Sequence, residues 1–265
     1  MSDPLIHPSA LVSPQARLAP DVEVGPCCFV GPDVELGPGC VLRGHVTLVG
    51  RVRVGARCFF DPTVVVGGPP QDEDPPAPDA RIEIGVDNVF RECVTVHLPK
   101  MSGHPTRIGD GNRFEKGSHV PHDARIGNDV TLGKFVLLAG HVFVDDHARI
   151  GAYSAVHQFV TVGRFVLLGR HSAISEDAPP FLRYLRLGNT PAGVRREELT
   201  RRGFPETTIA SLETAFRDVY HSGLPRHEAA LRLESSPVPE VREIARVLRG
   251  SLQGRMGRAR EALRR

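Results

Sequence analysis

The chain predicts a parallel β-helix with a helical appendage, and three observations carry that prediction. First, every sixth residue from Ile6 to Ile174 is aliphatic or Phe, except Asp72, Pro78 and Ser102. A period of six fits neither an amphipathic helix nor an alternating strand, but it is the hexapeptide signature of a β-solenoid. Second, the next position is repeatedly Gly, from Gly25, Gly31 and Gly37 to Gly151, Gly163 and Gly169. A corner there calls for a small or positive-φ residue. Third, two positions before the apolar site the side chain is small or β-branched, as at Ala10, Val22, Cys28, Cys40, Val130 and Ser154. The two sets together fill a narrow prism. Three hexads make a coil, so the 26 occupied positions predict about nine coils, each burying its neighbours.

From Ile6 to Val66 the period is unbroken. The exceptions then fall in 69–80, where Pro69, Pro70, Pro75, Pro76 and Pro78 alternate with acidic residues and forbid regular coils. This segment is read as an extruded loop, and a second is expected near 98–105. Both leave the phase unchanged, and loops of this kind on a regular scaffold tend to carry function. The coils resume and run to Ile174, and Pro179-Pro180 marks a change of architecture. The organisation is thus a solenoid over 1–190 and a helical domain over 191–265. One helix is expected from Pro205, with Ile209, Leu212, Phe216, Val219 and Tyr220 on one face. Another should carry Val241, Ile244, Val247 and Leu248 and close at Gly250.

The formal charge is +2 overall, but 191–265 holds 15 Lys plus Arg against 10 Asp plus Glu, so the helical domain is basic and suits an anionic ligand or acidic partner. Its last residues, with Arg255, Arg258, Arg260, Arg264 and Arg265, read as a solvated, frayed end. The five cysteines have no CxxC spacing and read as small core residues of a reducing compartment. No apolar run approaches the roughly 20 residues of a membrane span, and the N-terminus has no signal-like pattern. A cytoplasmic protein without membrane insertion is expected.

Residues 18 apart occupy one place on successive coils, about 4.8 Å apart. This puts His122 under Gly140-His141, and these under Gln158, with His119 and His157 nearby. Neutral imidazole is the side chain best suited to take a proton from a hydroxyl at neutral pH. Asp123 is adjacent and would fix its tautomer, and the amides at the Gly140 turn would stabilise an oxyanion. No covalent nucleophile is visible, so direct attack by a substrate hydroxyl is the simplest chemistry. A metal is the competing reading of a histidine cluster. The pair His119 and His122 has poor geometry for one ion on a flat strand, so no metal is assigned.

Ile6-His7-Pro8-Ser9-Ala10, Gln71-Asp72, Ser118-His119-Val120-Pro121-His122-Asp123, Leu138-Ala139-Gly140-His141-Val142, Ala155-Val156-His157-Gln158-Phe159, Asp177-Ala178-Pro179-Pro180, Arg201-Arg202-Gly203-Phe204 and Tyr220-His221-Ser222-Gly223 together resemble the UDP-N-acetylglucosamine acyltransferases of lipid A synthesis. The resemblance covers nearly the whole chain. It implies a left-handed β-helix, a homotrimer with sites between subunits, and transfer of an acyl group, typically 3-hydroxyacyl, from acyl carrier protein to the sugar 3-hydroxyl of UDP-N-acetylglucosamine. No cofactor and no nucleic acid are implied. By the same resemblance His122 is the general base, Asp123 its orienting partner and the Gly140 amide the oxyanion donor. Asp72, His119, His141 and Gln158 would contact sugar or acyl chain, Glu197, Arg201 and Arg202 would face the nucleotide, and Arg170 stands where acyl length is limited. The chain departs from the family at Asp74, where Lys is usual, at Leu98-Pro99, where Arg-Gly is usual, and at Arg195, where Asn is usual. Two alternatives are an N-acyltransferase acting on a UDP-amino sugar and a non-catalytic solenoid. A related N-acyltransferase carries an extra domain before its coils, whereas the hexads here begin at Ile6, and a non-catalytic trimeric solenoid would bind nucleotide-sugar or protein.

Overall fold

A computed structural model describes residues 4–71, 73–185 and 187–264. Among the described residues the solenoid has three flat faces of 11, 9 and 8 strands, all parallel except the last strand of the first face, and as far as Ala173–Ile174 the chain visits the faces in strict rotation. The first face takes Leu5–Ile6, Glu23–Val24 and Val41–Leu42, the second Leu11–Val12 and Phe29–Val30, the third Arg17–Leu18 and Val34–Leu36. Most strands have only two residues, so within each hexad one side chain points in and its neighbour out, and the next four residues turn the corner. The inward residues Val24, Leu42, Phe60, Phe90, Phe114 and Leu132 are all buried. Phe60, Phe90 and Phe114 stack face to face with centroids 4.7 and 4.8 Å apart, one per coil.

The two loops preserve the phase because they add whole hexads. Phe59 pairs with Val89, 30 positions on, and Val89 with Arg113, 24 on, instead of the usual 18. The loops lie side by side. Ser102 Oγ and the Gly103 N–H donate to the Asp79 carboxylate at 2.7 Å each, and the Ala77 N–H reaches the Pro99 carbonyl at 3.2 Å.

The corners decide between the two expectations for glycine in favour of small size. Positive φ occurs two residues further on, at Cys27, Arg57, Asp87, Asp123, Phe135, His141, Tyr153, Phe159 and others. Gly25, Gly37, Gly85 and Gly133 are not in that region. They are needed because the next coil passes too close: a Cβ at Gly25 would lie 1.8 Å from the Arg43 carbonyl oxygen. The tight turn is borne by whatever residue follows, held there by backbone bonds between coils.

The first face also gains one strand beyond the end of the apolar period, Leu182–Tyr184, paired parallel to Leu167–Leu168, and then the antiparallel Gly193–Val194. Four helices follow: α1 (Arg196–Arg201), α2 (Glu206–Tyr220), α3 (Arg226–Glu234) and α4 (Pro239–Gln253). Ile209, Leu212 and Val219 of α2 are buried in the same core as Leu233 of α3 and Val241, Ile244 and Leu248 of α4. Helices α1 and α3 escape the sequence reading because α1 is short and α3 buries mainly Ala229 and Ala230, too small to mark an apolar face. Gly250 does not close α4. The helix continues to Gln253, and the cap is Gly254, whose N–H donates to the Gly250 carbonyl. The arginine-rich end is not frayed either: Ala259–Leu263 forms a 3₁₀ turn docked on the solenoid, with Arg258 and Glu261 buried.

Candidate active site

Each prism edge is a column of corners, and the site lies on the edge joining the second face to the third. Strand His119–Val120 leads into the corner holding His122 and Asp123. The corners one and two coils on hold Gly140-His141 and Gln158-Phe159. His141, Phe159 and Asp123 share the left-handed backbone position of successive coils, with φ of 62°, 64° and 58°.

His122 donates from Nδ1 to Asp123 Oδ2 at 2.7 Å, both side chains being buried. The carboxylate is fixed in turn by the second loop, since the N–H groups of Lys100 and Met101 donate to its two oxygens at 3.1 Å each. The Asp123 N–H is taken by Thr106 Oγ1 at 3.0 Å. Burial alone would raise this carboxyl, but the hydrogen bonds from His122 and the Lys100 amide, the nearby His141 and the Met101 amide outweigh it and hold Asp123 below the ordinary carboxylate range. With Nδ1 committed as donor, Nε2 of neutral His122 is a free base.

Gly140 makes the geometry possible. A Cβ there would stand 2.4 Å from His122 Cε1 and 2.5 Å from Nε2, so only glycine lets the imidazole lie against the turn. Gly140 is buried, and among the described residues its N–H donates to no other group. An unpaired buried amide is costly unless a ligand takes it, which is the property of an oxyanion site.

The His141 ring meets His122 edge-on, 5.1 Å between centroids, and stacks on Phe159 at 4.5 Å. Burial, chiefly, lowers the His141 pKa to about 4, so it is neutral at physiological pH. His119 is likewise lowered to about 4, first by burial and then by His97 and His122. It lies on the second face one step before the corner, its Nδ1 2.8 Å from Thr95 Oγ1 and its ring against His97. His122, Asp123 and His141 bring one ligand atom each within 4.8 Å of one another, close enough for a single cation, but the Asp123 oxygens already accept three N–H groups.

A pocket of about 470 Å³ opens onto His122, His141, Gln158 and Phe159. Its other walls are Asp74, Lys100 and Met101 from the two loops and Leu263 and Arg264 from the chain end. Beside it on the second face runs an apolar groove of about 420 Å³, floored by Leu137, Leu138, Ala155, Val156, Ala173 and Ile174. Sequence reasoning missed Lys100, whose ammonium is 3.2 Å from Asp74, and both pocket residues of the chain end. Asp72 lies outside the described residues.

The remaining expected site residues are elsewhere. Glu197 and Arg201 line a separate cleft of about 890 Å³ with Arg149, Arg183 and Arg217. Arg201 and Arg202 both pair with Glu198, a residue not anticipated, whose carboxyl is lowered because those arginines and Arg195 outweigh its burial. Arg195 lines the same cleft and donates to the His147 and Phe165 carbonyls at 3.1 and 3.3 Å, on the edge joining the third face to the first. Arg170 is exposed on the remaining edge, between first and second faces, and lines neither the pocket nor the cleft. A single chain thus holds the three sets apart: the His122 pocket on one edge, Arg170 on another, and the arginine-lined cleft over the outward side of the first face.

A six-residue solenoid with a buried imidazole–carboxylate pair beside an open amide defines a hexapeptide-repeat acyltransferase. The family profile described as UDP-N-acetylglucosamine O-acyltransferase, domain 2, matches residues 177–256. The acyl-[acyl-carrier-protein]–UDP-N-acetylglucosamine O-acyltransferase of Syntrophobacter fumaroxidans is 35% identical over 255 residues, covering 94% of this chain and 98% of that protein; its namesake in Xanthomonas campestris is 40% identical over 233 residues, covering 87% and 88%. The structure of Francisella novicida UDP-N-acetylglucosamine acyltransferase superposes with a TM-score of 0.88 at 30% identity, over 92% of this chain and 91% of that one. The chain belongs to the acyl-[acyl-carrier-protein]–UDP-N-acetylglucosamine O-acyltransferase family. Among the described residues no helix is long and apolar enough to cross a membrane.

Proposed function

We propose that this enzyme transfers an acyl group, typically 3-hydroxyacyl, from acyl carrier protein to the 3-hydroxyl of UDP-N-acetylglucosamine, as the first step of lipid A synthesis in the cytoplasm. The observation that carries the reading is the hydrogen-bonded series from the Lys100 and Met101 amides through Asp123 to His122 Nδ1, which leaves His122 Nε2 as an oriented proton acceptor at the pocket.

His122 Nε2 takes the proton of the sugar hydroxyl as its oxygen attacks the thioester carbonyl. The negative charge on the former carbonyl oxygen is met by the Gly140 N–H. Collapse breaks the C–S bond, and the imidazolium returns the proton to the departing thiolate. Asp123 stays ionised throughout, which its lowered pKa supports. The neutral His141, with His119, Gln158 and Asp72, contacts sugar or acyl chain, and the apolar groove on the second face accommodates methylenes, each contributing about 0.8 kcal/mol on burial.

Glu197, Arg201 and Arg202 bind the nucleotide, and Arg170 limits acyl length. Because these groups and His122 lie on different sides of one prism, a site that uses them all takes them from neighbouring subunits, as in a homotrimer. The purified enzyme, supplied with a panel of acyl carrier protein thioesters and UDP-N-acetylglucosamine, is expected to give a UDP-sugar heavier by one acyl group. Mass spectrometry before and after mild alkali should show that the bond is an alkali-labile ester. No product, or an alkali-stable amide, would refute the reading.

A further inference from the structure

The chain end is part of the active-site wall, and it is built to stay there. Asp177 accepts the Ala259 N–H on one oxygen at 2.8 Å and the Thr161 N–H on the other at 2.7 Å, tying the end to the top of the solenoid. The Asp177 N–H donates to the Gly257 carbonyl at 2.8 Å. Arg258 is almost fully buried, donating from Nε to Glu261 at 2.7 Å and from Nη1 to the Ser175 carbonyl at 3.0 Å. Arg260 Nε reaches the His141 carbonyl at 3.1 Å. This places Arg264 at the mouth of the pocket, its guanidinium 5.2 Å from the centroid of Phe159, whose other contact is His141. A continuous series of ring contacts therefore joins Arg264, Phe159 and His141 to His122, the last of them edge-on. The matched family profile ends at residue 256, short of this segment.

Charge and geometry say what this element takes. Residues 257–264 contain Arg258, Arg260 and Arg264 against the single Glu261, an excess of two positive charges. Glu261 is shared, Oε2 with Arg258 and Oε1 with Arg264 at 2.6 Å, so one carboxylate is divided between two guanidiniums. The Arg264 side chain remains 45% exposed, which leaves part of its planar fork of donors facing the pocket mouth. Such a fork, pre-oriented by stacking and by an ion pair on one edge, suits the oxygens of a phosphate.

We propose that Arg264 is a substrate-binding residue that holds a phosphate group at the entrance to the His122 pocket. This rests on the acyl-transfer reading, in which both substrates carry phosphate: the phosphopantetheine arm of the acyl donor and the diphosphate of the sugar nucleotide. Binding of 4′-phosphopantetheine and of UDP is measured by calorimetry on the full-length wild type, Arg264→Glu and Arg264→Lys, alongside the transfer assay. One of the two probes is expected to bind Arg264→Glu about tenfold or more weakly, as for loss of one charge-assisted contact, with Arg264→Lys intermediate because it keeps the charge but not the planar fork. The probe affected identifies the substrate held. Binding of both probes to Arg264→Glu within twofold of wild type, or of neither to the wild type, would overturn the proposal. A probe effect in a protein without transferase activity would sustain the phosphate site and refute the acyl-transfer reading instead.

Discussion

At the scale of single residues the site depends on groups kept in one protonation state and on one absent side chain. His141 and His119, lowered to about 4 by burial, are neutral when folded but titrate near 6.5 when unfolded. The unfolded chain therefore binds more protons between those values, and stability must fall as pH drops from about 6.5 towards 4. For His141, whose side chain is 6% exposed, the loss should be on the order of 2–3 kcal/mol. Urea unfolding at a series of pH values should show a decline through this window that is reduced in His141→Gln. Gly140 is the second dependence. Gly140→Ala pushes a methyl onto the His122 ring, so turnover should fall by about two orders of magnitude, as for loss of an aligned base. Thermal unfolding of that variant should shift far less than its rate.

The His122, Gly140 and Gln158 column was legible because an 18-residue coil turns sequence spacing into spatial stacking. Lys100 was not, since a loop's position follows from contacts such as Asp79 with Ser102 and Gly103, which no period encodes.

At the scale of elements, the corners and the chain end show what a sequence pattern leaves undecided. Glycine after the apolar position does mark each turn, but its role is clearance for the neighbouring coil, while Asp123, His141 and Phe159 adopt the left-handed conformation themselves. Gly25→Ala should accordingly destabilise the solenoid, because its methyl would meet rigid backbone and not a movable side chain. A loss of about 2 kcal/mol or more is expected in chemical unfolding, with turnover of the folded fraction unchanged. Equal stability of Gly25→Ala and wild type would show that the coils can separate locally. The docking of Ala259–Leu263 could not be read from the sequence because a buried Arg258–Glu261 pair is indistinguishable, by composition, from exposed charges.

At the scale of the whole molecule, the solenoid works as a ruler. Its hexads keep phase through two insertions, so the loops return the chain to register and project Asp74 and Lys100 over His122. The same regularity places the arginine-lined cleft beside α1, over the first face. Arg201→Ala should raise the KM for the UDP-sugar about 5- to 20-fold with little change in kcat, because a charge on a remote diphosphate contributes equally to ground and transition states. Added salt should narrow the difference from wild type. Unchanged KM would mean that the cleft serves another ligand.

The most direct test of the central claim is kcat/KM for acyl transfer by His122→Ala, measured beside its melting temperature. Loss of a general base should lower the rate constant by about 100- to 10,000-fold, with melting nearly unchanged because the ring packs in an edge column and not among the inward residues of the coils. Activity within threefold of wild type would contradict the assignment of His122 as the proton acceptor.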